Sequence, residues 1–148
     1  MKAKRIAIEL QEMKTKAPEG TFFIKKHESD NFICAIQGPK GTPYENGFFR
    51  LDVRFPNDYP FSAPQLSFIT PILHPNISGQ TICLDILGET WKPTMTLGKL
   101  LVSIRSLLNE PNFSSPLNSD AASLYKKNKK EYHKQVKERV EAEALNIF

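Results

Sequence analysis

Apolar and polar positions follow two different periods along the chain, and the first is helical. Apolar residues recur three and four positions apart near the N-terminus, between Lys, Glu and Gln side chains: Ile6, Leu10, Met13 and Ala17. This spacing predicts an amphipathic first helix. The sequence APEG then supplies the signal that ends it.

Four segments with strand character follow this helix: TFFIKK, NFICAI, FFRLDVRF and QLSFIT. The third is the most regular, because Phe49, Leu51 and Val53 alternate with charged side chains. The joins between the segments are short and carry turn residues, as in ESDN and GPKGTPYENG. Short joins between successive strands favour an antiparallel meander over parallel crossovers.

The middle of the chain carries many prolines. Five lie between Phe55 and Pro75, and proline fixes φ and removes a backbone donor. We therefore expect little regular structure from the end of QLSFIT to Met95. A long irregular segment inside a compact domain is usually functional.

Helical spacing returns in the last third of the chain. A broad apolar stripe predicts a helix buried on most sides: Leu97, Leu100, Leu101, Ile104, Leu107 and Leu108. The sequence NEPNFSSPLNSD ends it, and two further helices are predicted near Ser119–Lys127 and Lys129–Ala144. Strands that run together and helices that run together indicate an α+β fold, here in a single domain over 1–148.

Composition limits the class of protein. The 148 residues are 40% hydrophobic and 24% charged, as in an ordinary soluble domain. No apolar run approaches the roughly 20 residues of a membrane helix, and the N-terminus has no signal-peptide pattern. Two cysteines do not make a disulfide framework. We expect an intracellular, reduced protein, cytoplasmic or nuclear, with no membrane contact.

The net charge of +4 and the pI near 9.1 raise the question of nucleic-acid binding. The basic excess lies mainly in Lys2–Lys16 and Lys126–Arg139, where acidic residues are interleaved. No aromatic residues alternate with the basic ones as a stacking platform requires. The pattern favours solvated helix faces, and we expect no nucleic-acid partner.

Metal and phosphate sites lack their sequence signals. The histidines and cysteines have no paired spacing of the zinc-site kind, so we expect no metal. The glycines of GPKGTP lack the P-loop spacing, so we expect no direct use of ATP and no cofactor. Cys34 lies inside an apolar strand and is predicted to be a packed core thiol.

The second cysteine, Cys83, lies in LHPNISGQTICLDILGETW. It is either a buried structural thiol or a nucleophile, and the surrounding Pro, Gly and Asn residues favour the nucleophile. A cysteine with His74 and Asn76 suggests a papain-like arrangement. Pro75, however, restricts the backbone conformation of His74. His74 is therefore either a general base or a structural hydrogen-bonding residue. The Asn76 amide is suited to donate to an oxyanion, a bond worth about 2.7–4 kcal/mol in a transition state.

These residues belong to a longer resemblance. HPN, then ICLDIL, then Trp91-Lys92-Pro93 strongly resembles the ubiquitin-conjugating enzymes. KRIAIELQEM resembles their first helix, GPKGTPYENGFFRLDVRFPNDYPFSAPQLSF their central meander, and SIRSLLNEPNFSSPLNSDAA their crossover helix and following loop. The resemblance implies their UBC-like fold: an N-terminal helix, a four-stranded antiparallel meander, a crossover helix and two C-terminal helices.

The resemblance also implies the chemistry. Cys83 would accept ubiquitin as a thioester from the activating enzyme, which is the protein that uses ATP, and pass it to a lysine amine. Asn76 matches the family asparagine proposed to stabilise the oxyanion or hold the active loop, and His74 and Pro75 match the structural half of that tripeptide. Asp85 is a candidate to assist the attacking lysine, and a loop-stabilising carboxylate is the alternative.

Partner surfaces follow from the same resemblance. RING-type or U-box ligases and the activating enzyme would bind one end of the molecule, at Lys4, Arg5, Phe61 and Pro93. Ubiquitin held on Cys83 would pack on the crossover helix at Val102 and Ser103. We expect a monomer that acts on protein substrates.

Two departures from the family pattern stand out. The segment ISGQTI between Asn76 and Cys83 is one residue shorter than in the commonest members, and Ser115 stands where many members have an acidic residue. Two other functions stay open: a non-catalytic ubiquitin-binding relative, which typically lacks the cysteine, and a cysteine hydrolase that uses Cys83 and His74 without ATP.

Overall fold

The computed structural model describes residues 2–28, 31–82, 91–114 and 116–145. These residues form four helices and six strands. The helices are α1 (Lys2–Thr15), α2 (Leu97–Asn109), α3 (Ser119–Lys127) and α4 (Lys129–Glu143). The strands are β1 (Thr21–Glu28), β2 (Asn31–Gln37), β3 (Phe48–Arg54), β4 (Gln65–Phe68), β5 (Ile77–Ser78) and β6 (Thr81–Ile82).

The four predicted strands form an antiparallel meander, which confirms the α+β prediction. Each of β1 to β4 pairs with its neighbour in sequence, and the whole sheet has the order β1-β2-β3-β4-β6-β5. The alternation in β3 decides which face is buried: Phe49, Leu51 and Val53 are at most 1% exposed.

The expectation of little regular structure after β4 was wrong for one segment. Strands β5 and β6 form a hairpin in which Ser78 pairs with Thr81, and Thr81 also pairs with Ser67 of β4. Only Gly79 and Gln80 lie between the two strands, and Gly79 has φ of +59°. A glycine at the first position of a two-residue turn suits a tight hairpin. The hairpin was not predicted, because strands of two residues are too short to give a periodic pattern.

Helix α2 packs against the sheet and supplies the centre of the core. Leu97, Leu100, Leu101 and Ile104 are fully buried, as the apolar stripe predicted. Thr96 caps its N-terminus by accepting the backbone N–H of Lys99 at 3.2 Å. Arg105 reaches from the helix to β2, where its Nε donates to the Gln37 carbonyl at 2.8 Å.

The two C-terminal helices meet at Asn128. Its backbone N–H closes α3 on the Leu124 carbonyl, and its side chain caps α4 by accepting the N–H of Glu131. Tyr132, Val136 and Val140 face the core, as their spacing predicted. Within the described ranges, no helix combines the length and apolar character needed to cross a membrane.

Cys34 lies on β2 with no exposed surface. Burial raises the pKa of its thiol to about 12, because a thiolate there would lose its hydration. This thiol is inert at neutral pH, in agreement with its predicted role in the core.

Candidate active site

The segment from His74 to Asn76 forms a closed turn just before the β5–β6 hairpin. The N–H of Ile77 donates to the His74 carbonyl at 3.2 Å, and the N–H of Asn76 donates to Nδ1 of His74 at 3.0 Å. Pro75 occupies the turn between them. The hairpin then leads to Ile82, and Cys83 is the next residue in the sequence.

His74 is a fully buried hydrogen-bonding residue in this turn. Because Nδ1 accepts from Asn76, Nε2 carries the ring proton and donates to the Leu107 carbonyl of α2 at 2.7 Å. Burial lowers the pKa of His74 to about 4, and the bond to Leu107 opposes that shift only in part. With both nitrogens engaged, the ring has no free lone pair to act as the base of a hydrolase.

Asn76 is clamped to the loop that follows α2. Its Nδ2 donates to the Asn112 carbonyl at 2.7 Å, and its Oδ1 accepts the N–H of Asn112 at 2.9 Å. The side chain is 1% exposed. One of the two Nδ2 hydrogens is used in this clamp, which leaves one for the predicted oxyanion. Despite the short spacing to Cys83, Asn76 is therefore fixed by the turn and this loop.

The same turn is held a second time from the start of α3. Asn118 donates its backbone N–H to the Pro75 carbonyl at 2.9 Å, and its side chain caps α3 by accepting the N–H of Ala121. Sequence reasoning missed both Asn112 and Asn118. The capping pattern of Asn118 ahead of SDAA was a usable signal, whereas the clamp at Asn112 uses main-chain atoms and leaves no sequence signal.

A pair of buried tyrosines supports the residue before the turn. The hydroxyl of Tyr44 donates to the Leu73 carbonyl at 2.5 Å and lies 2.6 Å from the hydroxyl of Tyr132 on α4. Burial raises the pKa of both phenols, that of Tyr132 to about 12. Both hydroxyls therefore stay protonated at neutral pH and connect α4 to the turn.

Three of the predicted catalytic residues, Cys83, Asp85 and Ser115, lie outside the described residues. The described chain runs up to Ile82 on one side and up to Ser114 on the other. The backbone N–H of Ser114 donates to Asn112 Oδ1 at 2.9 Å. Ser114 is thus fixed to Asn112, the residue that also clamps Asn76.

The predicted ligase-binding end is organised around a buried carboxylate, Glu9, which sequence reasoning missed. Glu9 is 3% exposed and accepts bonds from the guanidinium of Arg5 at 2.8 Å, the hydroxyl of Tyr59 at 2.5 Å and the backbone N–H of Leu97 at 2.6 Å. Arg5 also donates to the Met95 carbonyl. Glu9 therefore joins α1, the loop around Tyr59 and the start of α2.

The exposed residues of this end lie on α1 and on the loops that Glu9 joins to it. Phe61 is 64% exposed, and Lys4 and Pro93 are exposed as well. Trp91 connects the two loops by donating its indole N–H to the Pro60 carbonyl at 2.8 Å. Phe61 is thus an exposed apolar side chain and not a cap on the core, whereas Arg5 is partly buried and engaged within the molecule.

The predicted contact surface for bound ubiquitin lies on the outer face of α2. Val102 is 41% exposed, and Ser103 is exposed with its hydroxyl donating to the Lys99 carbonyl at 3.2 Å. Among the described residues, no group of three or more His, Cys, Asp or Glu side chains is arranged to hold a metal ion.

The comparisons with known proteins agree with this architecture. The family model described as ubiquitin-conjugating enzyme matches residues 5–140. Ubiquitin-conjugating enzyme E2 2 of Neurospora crassa is 43% identical over 143 residues, which cover 93% of each chain. A probable ubiquitin-conjugating enzyme E2 31 of Arabidopsis thaliana is 40% identical and covers 92% of this chain and 89% of its own.

A solved structure shows the same fold. The crystal structure of a putative ubiquitin conjugating enzyme from Plasmodium yoelii superposes with a TM-score of 0.91 at 34% identity and covers 97% of this chain and 96% of its own.

The fold and the family match together define a ubiquitin-conjugating enzyme, a transferase of the ubiquitin pathway. The chain belongs to the ubiquitin-conjugating enzyme family. Its partners are in general those of the family: ubiquitin, the activating enzyme and ligases.

Proposed function

We propose that Cys83 is the residue that carries ubiquitin, as a thioester, between the activating enzyme and a lysine amine. The observation that supports this most directly is the turn from His74 to Asn76. Buried hydrogen bonds tie it to α2, to Asn112 and to Asn118. A turn fixed on three sides gives the strand that enters Cys83 a defined position.

In the first step, the Cys83 thiolate attacks the carbonyl carbon of ubiquitin on the activating enzyme. A new C–S bond forms, the old one breaks, and the thiolate of the activating enzyme leaves. One thioester replaces another, so an ordinary cysteine of pKa about 8.5 is a sufficient nucleophile.

In the second step, a substrate lysine attacks the Cys83 thioester. An isopeptide bond forms, the C–S bond breaks, Cys83 leaves as a thiolate and the amine gives up a proton. A free lysine has a pKa of about 10.4, so an acceptor beside it accelerates the step. We assign this assistance to Asp85, and the donation to the oxyanion to the remaining Nδ2 hydrogen of Asn76.

A charging reaction followed on a non-reducing gel tests the function. The protein is mixed with activating enzyme, ATP and ubiquitin. We expect a ubiquitin adduct that a thiol reductant removes and that Cys83→Ala lacks. Cys34→Ser is the matched control, and it should charge normally, because Cys34 is buried and protonated. Absence of the adduct with ubiquitin and with every related modifier would refute the proposal.

Ser115 is proposed to regulate lysine attack, since phosphorylation there would add about −1.5 to −2 charge near the incoming amine. Single-turnover discharge of pre-charged protein to free lysine tests this. Ser115→Asp and Ser115→Ala should differ in discharge rate while charging equally. Equal rates for both variants and the unmodified protein would remove Ser115 from the mechanism.

Ligases of the RING or U-box type are proposed to bind through Phe61, with Pro93 and Lys4 beside it. A large exposed apolar side chain is a typical interface anchor. Arg5 supports this surface indirectly, because its hydrogen bonds to Glu9 and to the Met95 carbonyl hold the loops in place. Phe61→Ala should lower ligase-stimulated discharge by more than it lowers charging, because the activating enzyme is expected to contact the same end of the molecule. Leu145→Ala is a matched control, because Leu145 is another exposed apolar residue, at 56%, and follows α4 instead of lying on α1 or the two loops.

Bound ubiquitin is proposed to pack on Val102 and Ser103 of α2. Val102→Asp places a charge in that contact without disturbing the core, because the side chain points outward. We expect slower ligase-stimulated discharge with unchanged charging. Unchanged discharge would place the ubiquitin elsewhere.

A further inference from the structure

The positive charge of the protein is concentrated in one short stretch. Residues 126–137 contain six lysines and one glutamate, a net charge of +5, so the rest of the chain, with a total of +4, is slightly acidic. The lysines are Lys126, Lys127, Lys129, Lys130, Lys134 and Lys137. We call this group the basic cluster. It lies at the junction of α3 and α4.

The helix places most of these charges on one side. At about 100° per residue, Lys129, Lys130, Lys134, Lys137 and His133 fall within an arc of about 140° on α4. Tyr132 and Val136, which are buried, lie beside this arc. The periodicity therefore gathers the charge into a strip on the outside of the molecule.

The strip borders two surface hollows. A hollow of about 690 Å³ is lined by Lys130, His133, Lys134 and Lys137, with Glu131, Glu138 and Glu141 also on its walls. A smaller hollow of about 140 Å³ adjoins it at His133 and contains Lys129 on its rim. Burial lowers the pKa of His133, and Lys129 and Lys137 lower it further. Lys129 and Lys137 thus act on His133 as nearby positive charges.

The ammonium groups of the basic cluster form no ion pair with a carboxylate of the described residues. Arg5 and Glu9, by contrast, do form an ion pair. Six like charges close together repel one another, and a strip of this kind gains free energy when an anionic partner covers it.

We propose that the basic cluster is a docking surface for an acidic protein segment, in which Asp and Glu side chains bind the lysines around His133. This surface lies on α3 and α4, whereas the proposed ligase and ubiquitin contacts lie on α1, α2 and the loops at Phe61 and Pro93. A partner bound here leaves those contacts free.

The chemistry favours a peptide over RNA. The aromatic rings beside the cluster are already covered: Lys129 lies 5.0 Å from the Tyr125 ring, and Lys126 lies 5.1 Å from the Phe113 ring. A base would have to displace these lysines to stack on the ring faces that they cover, and binding of single-stranded RNA relies on such stacking. The three glutamates on the wall of the hollow also repel a continuous phosphate backbone, whereas separate carboxylates are able to bind between them.

Fluorescence anisotropy with a labelled peptide of alternating Glu and Ser tests the proposal. Lys130→Gln, Lys134→Gln and Lys137→Gln are combined in one variant. Lys16→Gln, Lys25→Gln and Lys26→Gln are combined in the control, which loses the same charge from exposed positions elsewhere. We expect about tenfold weaker binding for the first variant and near-normal binding for the control.

Three results would overturn the proposal: no binding of the Glu-Ser peptide, equal weakening by both triple variants, or equal binding of a Gln-Ser peptide. Tighter binding of a single-stranded oligouridine that depends on the same three lysines would assign the surface to RNA instead. Thermal unfolding checks that both triple variants are folded. Since the three lysines lie outside the proposed catalytic machinery, charging with ubiquitin should be unchanged in both.

Discussion

Two buried polar centres hold the functional loops of this enzyme, and they differ in charge. Glu9 carries a carboxylate and binds Arg5, Tyr59 and the N-terminus of α2 beneath the ligase-binding end. His74 and Asn76 are neutral and bind main-chain atoms of α2 and the following loop. A buried carboxylate is costly to isolate, whereas neutral groups lose only their hydrogen bonds when a partner is removed. Removal of a partner should therefore destabilise the protein more at the charged centre than at the neutral one.

The largest effect is expected at the charged centre. Glu9→Ala removes the acceptor of three bonds and leaves the partly buried Arg5 without its partner, so the free energy of unfolding should fall by about 3–4 kcal/mol. Burial, together with the bond to Glu9, raises the pKa of Tyr59, so its hydroxyl is a donor at neutral pH and would lose its acceptor too. Urea unfolding measures the loss. Glu12→Ala, an exposed position on the same helix, is the control and should change stability little.

The neutral centre should respond to acid instead. The pKa of His74 is about 4 in the folded protein and about 6.5 when unfolded, so the unfolded chain binds more protons between these values. The contribution of neutral His74 to the free energy of unfolding is fully present above pH 6.5. It falls by about 3 kcal/mol as the pH decreases toward 4. Urea unfolding across this range measures the slope. His74→Gln should flatten it much more than His133→Gln does, because His74 is fully buried and His133 is not, and an equal slope in all three proteins would contradict the assignment.

A smaller loss of stability is expected for Asn76→Ala, about 2 kcal/mol, because both Asn112 main-chain groups lose their partner. The turn would also lose its bonds to Asn112, which holds the N–H of Ser114, so lysine discharge should fall more than charging does. Asn76→Asp sharpens this test: its carboxylate still accepts from the Asn112 N–H but donates to neither the Asn112 carbonyl nor an oxyanion. Normal discharge by the Asp variant would leave Asn76 with a purely structural role.

The smallest effect is expected for Tyr132→Phe, about 1 kcal/mol, since Tyr44 keeps its bond to Leu73 when the second hydroxyl is removed. Thermal unfolding measures this. Tyr125→Phe is a control on the neighbouring aromatic, which packs 5.0 Å from Tyr132, centroid to centroid. A loss as large as that of Asn76→Ala would mean that Tyr132 holds the turn by itself.

The sequence by itself determined the elements with strong periodicity. The alternation in β3 and the apolar stripe of α2 predict those elements because burial of one face repeats at a fixed interval. The predicted bounds of α3 agree with the structure, and α4 ends one residue earlier, at Glu143. The HPN, ICLDIL and WKP sequences indicated the family, and the comparisons confirm it.

Only the tertiary structure decided how the loops are held. The short β5–β6 hairpin was not predicted, since two residues give no period and its pairing with Ser67 is long-range. Glu9 is a charged residue on an amphipathic helix, so the sequence pattern predicts that it is exposed to solvent. Its burial depends on Tyr59 and Leu97, which are distant in sequence. The clamp on Asn76 uses the backbone of Asn112, and backbone atoms are the same in every residue except proline. The sequence therefore identified the residues of the turn. Contacts between distant segments determined which functional residues are held by buried hydrogen bonds and which remain exposed.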